Sequence, residues 1–240
     1  MRHFKINGVE IIEFERADST NKLAREHGGH LSAVVAVRQS AGRGRMGRSF
    51  FSPEGGLYMS VILDPQKIKC GIGFCTAAAA LAARDALEGA GVPDLRIKWV
   101  NDLLQNGRKV CGILTEAVSD AGGINRVIVG IGINLCPPEG GFPPEIADRA
   151  GYVDYKGDRL LLAADITARL GRYAECTGDV IARLYGESID MIGKKVELAD
   201  YTRPGQRVSG TVLGVDESCF LRLLDEDGHE FSLFSGEIIG

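Results

Sequence analysis

The chain has 240 residues, and 32 of them are glycine, about twice the usual share. Hydrophobic residues make up 45% and charged residues 25%, values that are typical of globular proteins and exclude a disordered or collagen-like chain. With 28 basic and 32 acidic residues the net charge is −4, so composition gives no reason for binding to nucleic acid or to an anionic membrane.

No apolar run is long enough to span a membrane, and the first residues do not form a signal peptide. Six cysteines are scattered without a Cys-x-x-Cys pair, and most have apolar neighbours. We therefore expect buried free thiols and a cytoplasmic protein.

In chain order, apolar patterns and turn residues predict alternating strands and helices over the first 190 residues. Asn106-Gly107 is typical of a type I′ turn and predicts a hairpin. The predicted elements are a strand over 9–15, a short helix from Asp18 to Gly28, strands over 33–37 and 57–63, an alanine-rich helix over 74–90, strands over 95–105, 108–117 and 126–135, and helical residues 159–190 with a break near Gly178.

The pattern changes at Gly193. From there, short predicted strands follow one another between glycine-containing turns, which is typical of a small β-barrel. They cover residues 194–199, 206–215, 219–224, 229–234 and 236–239. We therefore expect two domains, over residues 1–190 and 191–240.

A loop rich in glycine and arginine, Arg38–Arg48, is the most concentrated chemical signal. Four arginines and no acid occur between His27 and Pro53. Arginine pairs with carboxylate or phosphate, and the interleaved glycines let the backbone bend around an anion. The loop matches Gly-x-Gly-x-x-Gly, but a strand follows it where a dinucleotide-binding loop would lead into a helix. A solvated basic loop is the alternative.

Two further segments carry polar residues at the ends of apolar strands. Lys98-Trp99-Val100-Asn101-Asp102 brings a lysine, an amide and a carboxylate together at a turn, and Lys109 begins the next strand. Gly130-Ile131-Gly132-Ile133-Asn134 ends a buried strand that a ligand can approach closely. Each of these, taken alone, is equally well explained as an ordinary strand end or surface lysine.

Together these segments resemble the bacterial biotin–protein ligases over nearly the whole chain. The loop Gly42–Arg48 is similar to the family's biotin and adenylate loop, and residues 98–102 to its Lys-Trp-Pro-Asn-Asp. Residues 109–114 are similar to its Lys-x-x-Gly-Ile-Leu, residues 130–134 to its Gly-Ile-Gly-Ile-Asn, and residues 19–21 to its Ser-Thr-Asn. Five motifs in the family's order make the resemblance specific.

The resemblance implies an α+β fold: a mixed or antiparallel sheet with flanking helices, similar to class II synthetases, followed by a small SH3-like β-barrel. It also implies a two-step reaction. Biotin and MgATP give biotinyl-5′-AMP and pyrophosphate, and a lysine of an acceptor domain then attacks the mixed anhydride. No protein metal site is expected, since Mg²⁺ arrives with ATP.

Three sets of site residues follow from the resemblance, and some residues belong to more than one set. The expected catalytic residues are Arg43, Arg45, Lys98, Asp102 and Lys109. The expected biotin-binding residues are Ser19, Thr20, Asn21, Gln39, Arg43, Gly44, Arg45, Lys109 and Gly112. The expected ATP-binding residues are Arg45, Arg48, Phe50, Lys98, Asn101 and Asn134.

Three positions depart from the family's pattern. Met46 replaces a frequent arginine, so the loop has one cation fewer. Phe50 stands where the family has a tryptophan, at a position that resembles an adenine-contacting one. A phenyl ring can still stack on a base, but with a smaller contact area than an indole ring. Val100 replaces a proline, which leaves that turn less restricted.

The resemblance implies a biotin carboxyl carrier domain of a biotin-dependent carboxylase as the partner, and it is compatible with a homodimer. Ser19-Thr20-Asn21 lies too near the N-terminus to leave room for the DNA-binding domain of some family members. We therefore expect no nucleic-acid partner, no membrane partner and no repressor activity.

Two other functions remain as alternatives. Lipoate–protein ligases resemble this family in fold and reaction, although their loop is typically Gly-Gly-Gly. A non-catalytic nucleotide- or RNA-binding module would use the arginine loop and the barrel, but the barrel's mixed charges disfavour it.

Overall fold

A computed structural model describes residues 1–203 and 205–239 of the chain. Eight strands from the first 133 residues form one mixed sheet with the order β1-β2-β3-β4-β8-β7-β6-β5. Neighbouring strands are antiparallel except β2 and β3, which run parallel. The strands are β1 (Arg2–Ile6), β2 (Val9–Ala17), β3 (Ala33–Gln39), β4 (Leu57–Leu63), β5 (Leu95–Lys98), β6 (Asp102–Gln105), β7 (Arg108–Asp120) and β8 (Gly123–Ile133).

Helices lie on both faces of this sheet. They are α1 (Thr20–Leu23), α2 (Cys75–Gly89), α3 (Arg159–Ala174) and α4 (Gly178–Gly186), with single 3₁₀ turns at Arg45–Gly47, Pro65–Lys67 and Ile72–Phe74. Helices α2 and α3 pack on one face, and α1 packs on the other. In the described part of the chain, every helix is too short or too polar to cross a bilayer.

The main core lies between the sheet and α2. This helix buries ten of its residues, including the run Ala77–Ala83. Because alanine adds only a methyl group, the sheet and α3 can both approach the axis of α2 closely. The alanine-rich segment is thus a central core helix.

A second sheet forms the C-terminal part. Strands β9 to β12 form an antiparallel meander, and β13 returns to pair with β9, which is the strand order of an SH3-like barrel. The strands are β9 (Lys195–Asp200), β10 (Arg207–Val215), β11 (Leu221–Leu224), β12 (Glu230–Leu233) and β13 (Gly236–Ile238). The expected range 191–240 includes Pro204 and Gly240, which lie outside the described residues.

The predicted fold class is confirmed, but three elements differ from expectation. The N-terminal β1, which alternation alone did not identify, pairs with β2 through a turn at Asn7-Gly8. The first helix ends at Leu23 instead of Gly28, and only turns follow it. The strand expected over 95–105 is two strands, because residues 99–101 form a turn, in which the Trp99–Val100 peptide bond is cis.

This turn is anchored from both sides. The buried Trp99 donates its indole Nε1–H to the carbonyl of Cys219, in the turn between β10 and β11, at 3.0 Å. Tyr185 of α4, whose ring is fully buried, donates its hydroxyl to the carbonyl of Val100 at 2.9 Å. The turn that carries Lys98 and Asp102 at its ends is therefore held by both the helical layer and the barrel.

We predict that Trp99→Phe lowers the free energy of unfolding by roughly 2–4 kcal/mol, because it leaves a buried carbonyl unpaired and a small cavity. Urea unfolding followed by far-UV circular dichroism measures this, since the substitution removes the chain's single tryptophan. Tyr152→Phe, at an exposed ring, is the control and should change stability by less than about 0.5 kcal/mol. Equal midpoints for the two variants would contradict the anchoring role.

Candidate active site

A cavity of about 150 Å³ opens on the face of the large sheet opposite α2 and α3. Side chains alternate between the two faces of a strand, so Gly112, Gly130 and Gly132 face the cavity side while Ile113 and Ile131 belong to the core. Of the residues predicted for the site, fourteen line this cavity: Ser19, Thr20, Asn21, Gln39, Arg43, Gly44, Arg45, Arg48, Phe50, Lys98, Asn101, Asp102, Lys109 and Gly112.

Asn134 is the predicted residue that does not line the cavity. Its amide donates to the carbonyl of Gly151 at 2.8 Å, and its backbone accepts from Val153. Asn134 therefore connects the end of β8 to the segment that leads to α3, outside the cavity lining.

One end of the cavity is a polar cluster at the start of α1, and the members that line the cavity, Ser19, Thr20, Asn21 and Gln39, are uncharged. Ser60, fully buried on β4, has its hydroxyl 2.8 Å from Thr20 Oγ1 and 2.6 Å from Asn21 Oδ1. Gln39 Oε1 accepts from the backbone N–H of Thr20 at 2.8 Å. Asn21 also donates its amide to Glu116 Oε2 at 2.7 Å. These groups combine donors and acceptors, so the cluster suits an uncharged ligand that carries both.

Ser60 and Glu116 were not identified from the sequence. Each lies inside a long strand, where one polar side chain is common and carries no motif. Glu116 is held in turn by Arg25, whose Nη2 lies 3.1 Å from its Oε1. Only the pairing of β4, β8 and β7 brings these two residues to the start of α1.

The three strand glycines make room for protein side chains. A Cβ on Gly130 would collide with Asn21, and one on Gly132 would lie 2.6 Å from the ring of Phe50. A Cβ on Gly112 would lie 3.0 Å from the same ring. The sequence indicated that a ligand or backbone can approach these glycines closely, and in this structure Asn21 and Phe50 lie over them.

Asp102 and Lys109 form an ion pair beside Phe50. Lys109 Nζ lies 2.6 Å from Asp102 Oδ1 and 5.9 Å from the centre of the phenyl ring. Asn101 donates its amide to the carbonyl of Ile113 at 2.8 Å and accepts from the same residue's N–H, which fixes the turn against β7. Lys98 lines the cavity at the other end of this turn.

The arginine loop closes on itself. Gly44 donates its N–H to the carbonyl of Arg48 at 2.7 Å, and Phe50 donates to Gly42 at 2.8 Å. Met46 and Gly47 take left-handed backbone conformations at the tip, with φ of 54° and 73°. The loop thus holds Arg43, Arg45 and Arg48 around the cavity mouth, while the side chain of Met46 is exposed to solvent.

The tip of the loop contacts the second sheet. Arg45 donates to Ser235 Oγ at 2.6 Å and to the carbonyl of Gly236 at 3.3 Å. Arg48 pairs through both terminal nitrogens with the carboxylate of Glu237 and also contacts the hydroxyl of Tyr201. Arg222, another arginine of the barrel, pairs with Glu230.

These contacts change the acid–base properties of the groups involved. Hydrogen bonds from Arg48, and further ones from Tyr201, lower the pKa of Glu237 to about 2 despite its partial burial. Burial lowers the pKa of the Arg45 guanidinium. Glu237 is therefore ionised at neutral pH, where its carboxylate pairs with Arg48 of the loop.

Five cations and two carboxylates line the cavity together with the polar cluster. Such an arrangement can bind two anionic groups side by side and offset their repulsion. Within residues 1–203 and 205–239, one group has the spacing of a metal site, Asp225, Asp227 and His229, and it lies in a barrel turn outside the cavity.

The chain matches two family profiles. The profile of the "Biotin/lipoate A/B protein ligase family" matches residues 13–134, which is half of the chain, and that of the "Biotin protein ligase C terminal domain" matches residues 191–239. The first range contains every predicted site residue, and the second contains the barrel.

Individual proteins are similar over part or all of the chain. The biotin–[acetyl-CoA-carboxylase] ligase of Paracoccus denitrificans is 43% identical over 54% of this chain and 57% of its own length. The bifunctional ligase/repressor BirA of Bacillus spizizenii is 39% identical over 61% of this chain and 46% of its own length. The chain thus spans about half the length of these relatives.

Among solved structures, the biotin protein ligase of Aquifex aeolicus in complex with biotin and ATP superposes with a TM-score of 0.81. It is 28% identical, and the match covers 95% of this chain and 97% of that protein. The similarity includes both sheets.

We predict that Gly130→Ala lowers the free energy of unfolding by roughly 1–3 kcal/mol, because the added methyl group displaces Asn21 and breaks its bonds to Ser60 and Glu116. Urea unfolding followed by Trp99 fluorescence measures the change. Gly73→Ala is the matched control, since a Cβ there meets nothing within 4 Å. A Gly130 variant as stable as the control would show that the polar cluster tolerates displacement.

Proposed function

Because the chain belongs to the biotin/lipoate A/B protein ligase family, we propose that it is a biotin–protein ligase that activates biotin with ATP and transfers it to a lysine of an acceptor protein. The observation that carries the proposal is the composition of one cavity. An uncharged polar cluster around Asn21 leads directly to five cationic side chains. Biotin has the same division, since its ureido ring is uncharged and its side chain ends in a carboxylate.

In the first step, a biotin carboxylate oxygen attacks the α-phosphorus of ATP, and pyrophosphate leaves. Both reactants are anions, so their approach is repulsive unless cations lie beside the reacting oxygens. Lys98, Arg43 and Lys109 line the cavity and can supply such cations. We propose that Lys109 holds the carboxylate and that Lys98 offsets charge on the α-phosphate.

In the second step, an acceptor lysine amine attacks the acyl carbon of biotinyl-5′-AMP, an amide forms and AMP leaves. The amine must lose a proton, and Asp102 is the carboxylate nearest to Lys109, at 2.6 Å. We propose that Asp102 orients Lys109 in the first step and accepts the proton of the incoming amine in the second.

Magnesium enters this scheme bound to ATP, where it neutralises phosphate charge. The cavity is lined by two carboxylates, and each is already paired with a cation, Asp102 with Lys109 and Glu237 with Arg48. We therefore propose that Mg²⁺ reaches the cavity as part of the MgATP substrate.

The acceptor that we propose is a biotin carboxyl carrier domain of a biotin-dependent carboxylase, in agreement with the name of the Paracoccus relative. We further propose that the protein works in a reducing compartment such as the cytoplasm. All six cysteines are free thiols, four of them buried, and burial raises the pKa of Cys75 to about 12.

The proposal predicts that pyrophosphate exchange into ATP depends on biotin. Isotope exchange is measured with biotin, with lipoate and without an acid, at equal enzyme and MgATP. Biotin-dependent exchange supports the assignment. Lipoate-dependent exchange would select the lipoate–protein ligase alternative, and ATP binding without exchange would favour a non-catalytic nucleotide-binding module.

We also predict that Arg45→Ala folds normally but releases biotinyl-5′-AMP about 100-fold faster than the wild type, because a preorganised cation next to the phosphate is lost. Gel filtration after incubation with labelled biotin and MgATP measures the lifetime of the bound intermediate. Arg38→Ala is the control, since Arg38 pairs with Glu54 outside the cavity. Wild-type retention by the Arg45 variant would refute this role.

A further inference from the structure

The arginine loop is bound to the barrel by a cluster that no motif predicts. Glu237 accepts from both terminal nitrogens of Arg48, and Tyr201 donates its hydroxyl to Glu237 Oε2 at 2.7 Å. The same Tyr201 hydroxyl lies 3.2 Å from Arg48 Nη2. We call these three residues, Arg48, Tyr201 and Glu237, the clasp.

The clasp is continuous with the contacts of Arg45. The Arg45 guanidinium lies 5.5 Å from the centre of the Tyr201 ring and donates to Ser235 and Gly236 next to Glu237. Gly236 is essential to this geometry, because a Cβ there would lie 2.7 Å from the carbonyl of Ala199. The tight pairing of β13 with β9 therefore brings the edge of the barrel to the loop.

The loop needs an external support to stay ordered. Residues 42–48 include three glycines, and Arg43, Met46 and Gly47 are exposed. Glycine loses more conformational entropy on ordering than other residues, and the loop buries little apolar surface to offset that loss. The hydrogen bonds to the barrel are the contacts that compensate.

The clasp also determines whether Arg48 is available to bind a ligand. A guanidinium can bind one carboxylate or phosphate in a bidentate manner through two of its nitrogens. In Arg48, both terminal nitrogens already bind Glu237. Arg43, in contrast, is exposed at the cavity mouth, and in the described parts of the chain no acidic side chain pairs with it. Arg43 is thus available to a phosphate, while Arg48 connects the loop to the barrel.

We propose that Glu237 and Tyr201 are positioning residues that hold the arginine loop closed over the cavity, so that the barrel controls how long the acyl-adenylate is retained. The proposal rests on the proposed ligase function for its ligand. The clasp contacts do not depend on that function, since they join side chains of the protein alone.

Limited trypsin digestion of the ligand-free protein tests the clasp directly, because trypsin cuts after Arg43, Arg45 and Arg48. Loss of charge-assisted hydrogen bonds in Glu237→Gln should speed cleavage in the loop about tenfold. Tyr201→Phe removes one hydroxyl and should speed it about threefold. Glu230→Gln, which breaks the Arg222 pair on the same sheet, is the matched control and should cleave like the wild type. Circular dichroism verifies that each variant is folded.

The same variants are then loaded with labelled biotin and MgATP, and the lifetime of the bound adenylate is measured. Glu237→Gln should shorten it about tenfold while the KM for biotin stays near that of the wild type, because the polar cluster around Asn21 is untouched. Wild-type cleavage and retention in both clasp variants would overturn the proposal. A longer lifetime, or tighter ATP binding, in Glu237→Gln would also overturn it, because Glu237 would then compete with the nucleotide.

The two assays separate the two proposals. Faster loop cleavage in Glu237→Gln supports the clasp even if pyrophosphate exchange proves independent of biotin. Biotin-dependent exchange together with unchanged cleavage would retain the ligase function and reject the clasp.

Discussion

Mutual repulsion of cations is the constraint on which this site depends. Five cationic side chains surround one cavity in a chain of net charge −4, and like charges this close destabilise the folded state unless partners are present. Within the residues that the structure describes, three of the five cations have protein partners, and these are of two kinds. Lys109 has the carboxylate of Asp102, Arg48 that of Glu237, and Arg45 a hydroxyl and a carbonyl of the barrel. The site is therefore positive enough to attract anions and stable without them.

These partners explain why the chain needs two sheets. Asp102 and Lys109 belong to one hairpin of the large sheet, so their pairing is local. Arg48 finds Glu237 only because the barrel is fixed against the turn at residues 99–101, where Trp99 donates to Cys219. The barrel thus completes the electrostatics of a cavity whose floor belongs to the large sheet.

Local patterns predicted much of the fold and of the cavity lining. Asn106-Gly107 has positive φ at both residues and joins β6 to β7, as a type I′ turn requires. The alanine-rich segment is a buried helix. Ser60 and Glu116 were missed because a single polar residue within a strand is common. The turn expected after Lys98 divides residues 95–105 into β5 and β6, although the sequence analysis treated that range as one strand.

The sequence by itself determined the type and order of nearly all elements, the family resemblance and the residues that converge on one cavity. It could do so because periodicity, turn residues and motifs are each visible within a few neighbouring positions. Only the tertiary structure decided which partner each residue has. Arg48 and Glu237 are 189 positions apart, Phe50 covers Gly132 on a distant strand, and Asn134 turns to Gly151. Such contacts depend on how the sheets and loops pack in three dimensions, and no local pattern records that packing.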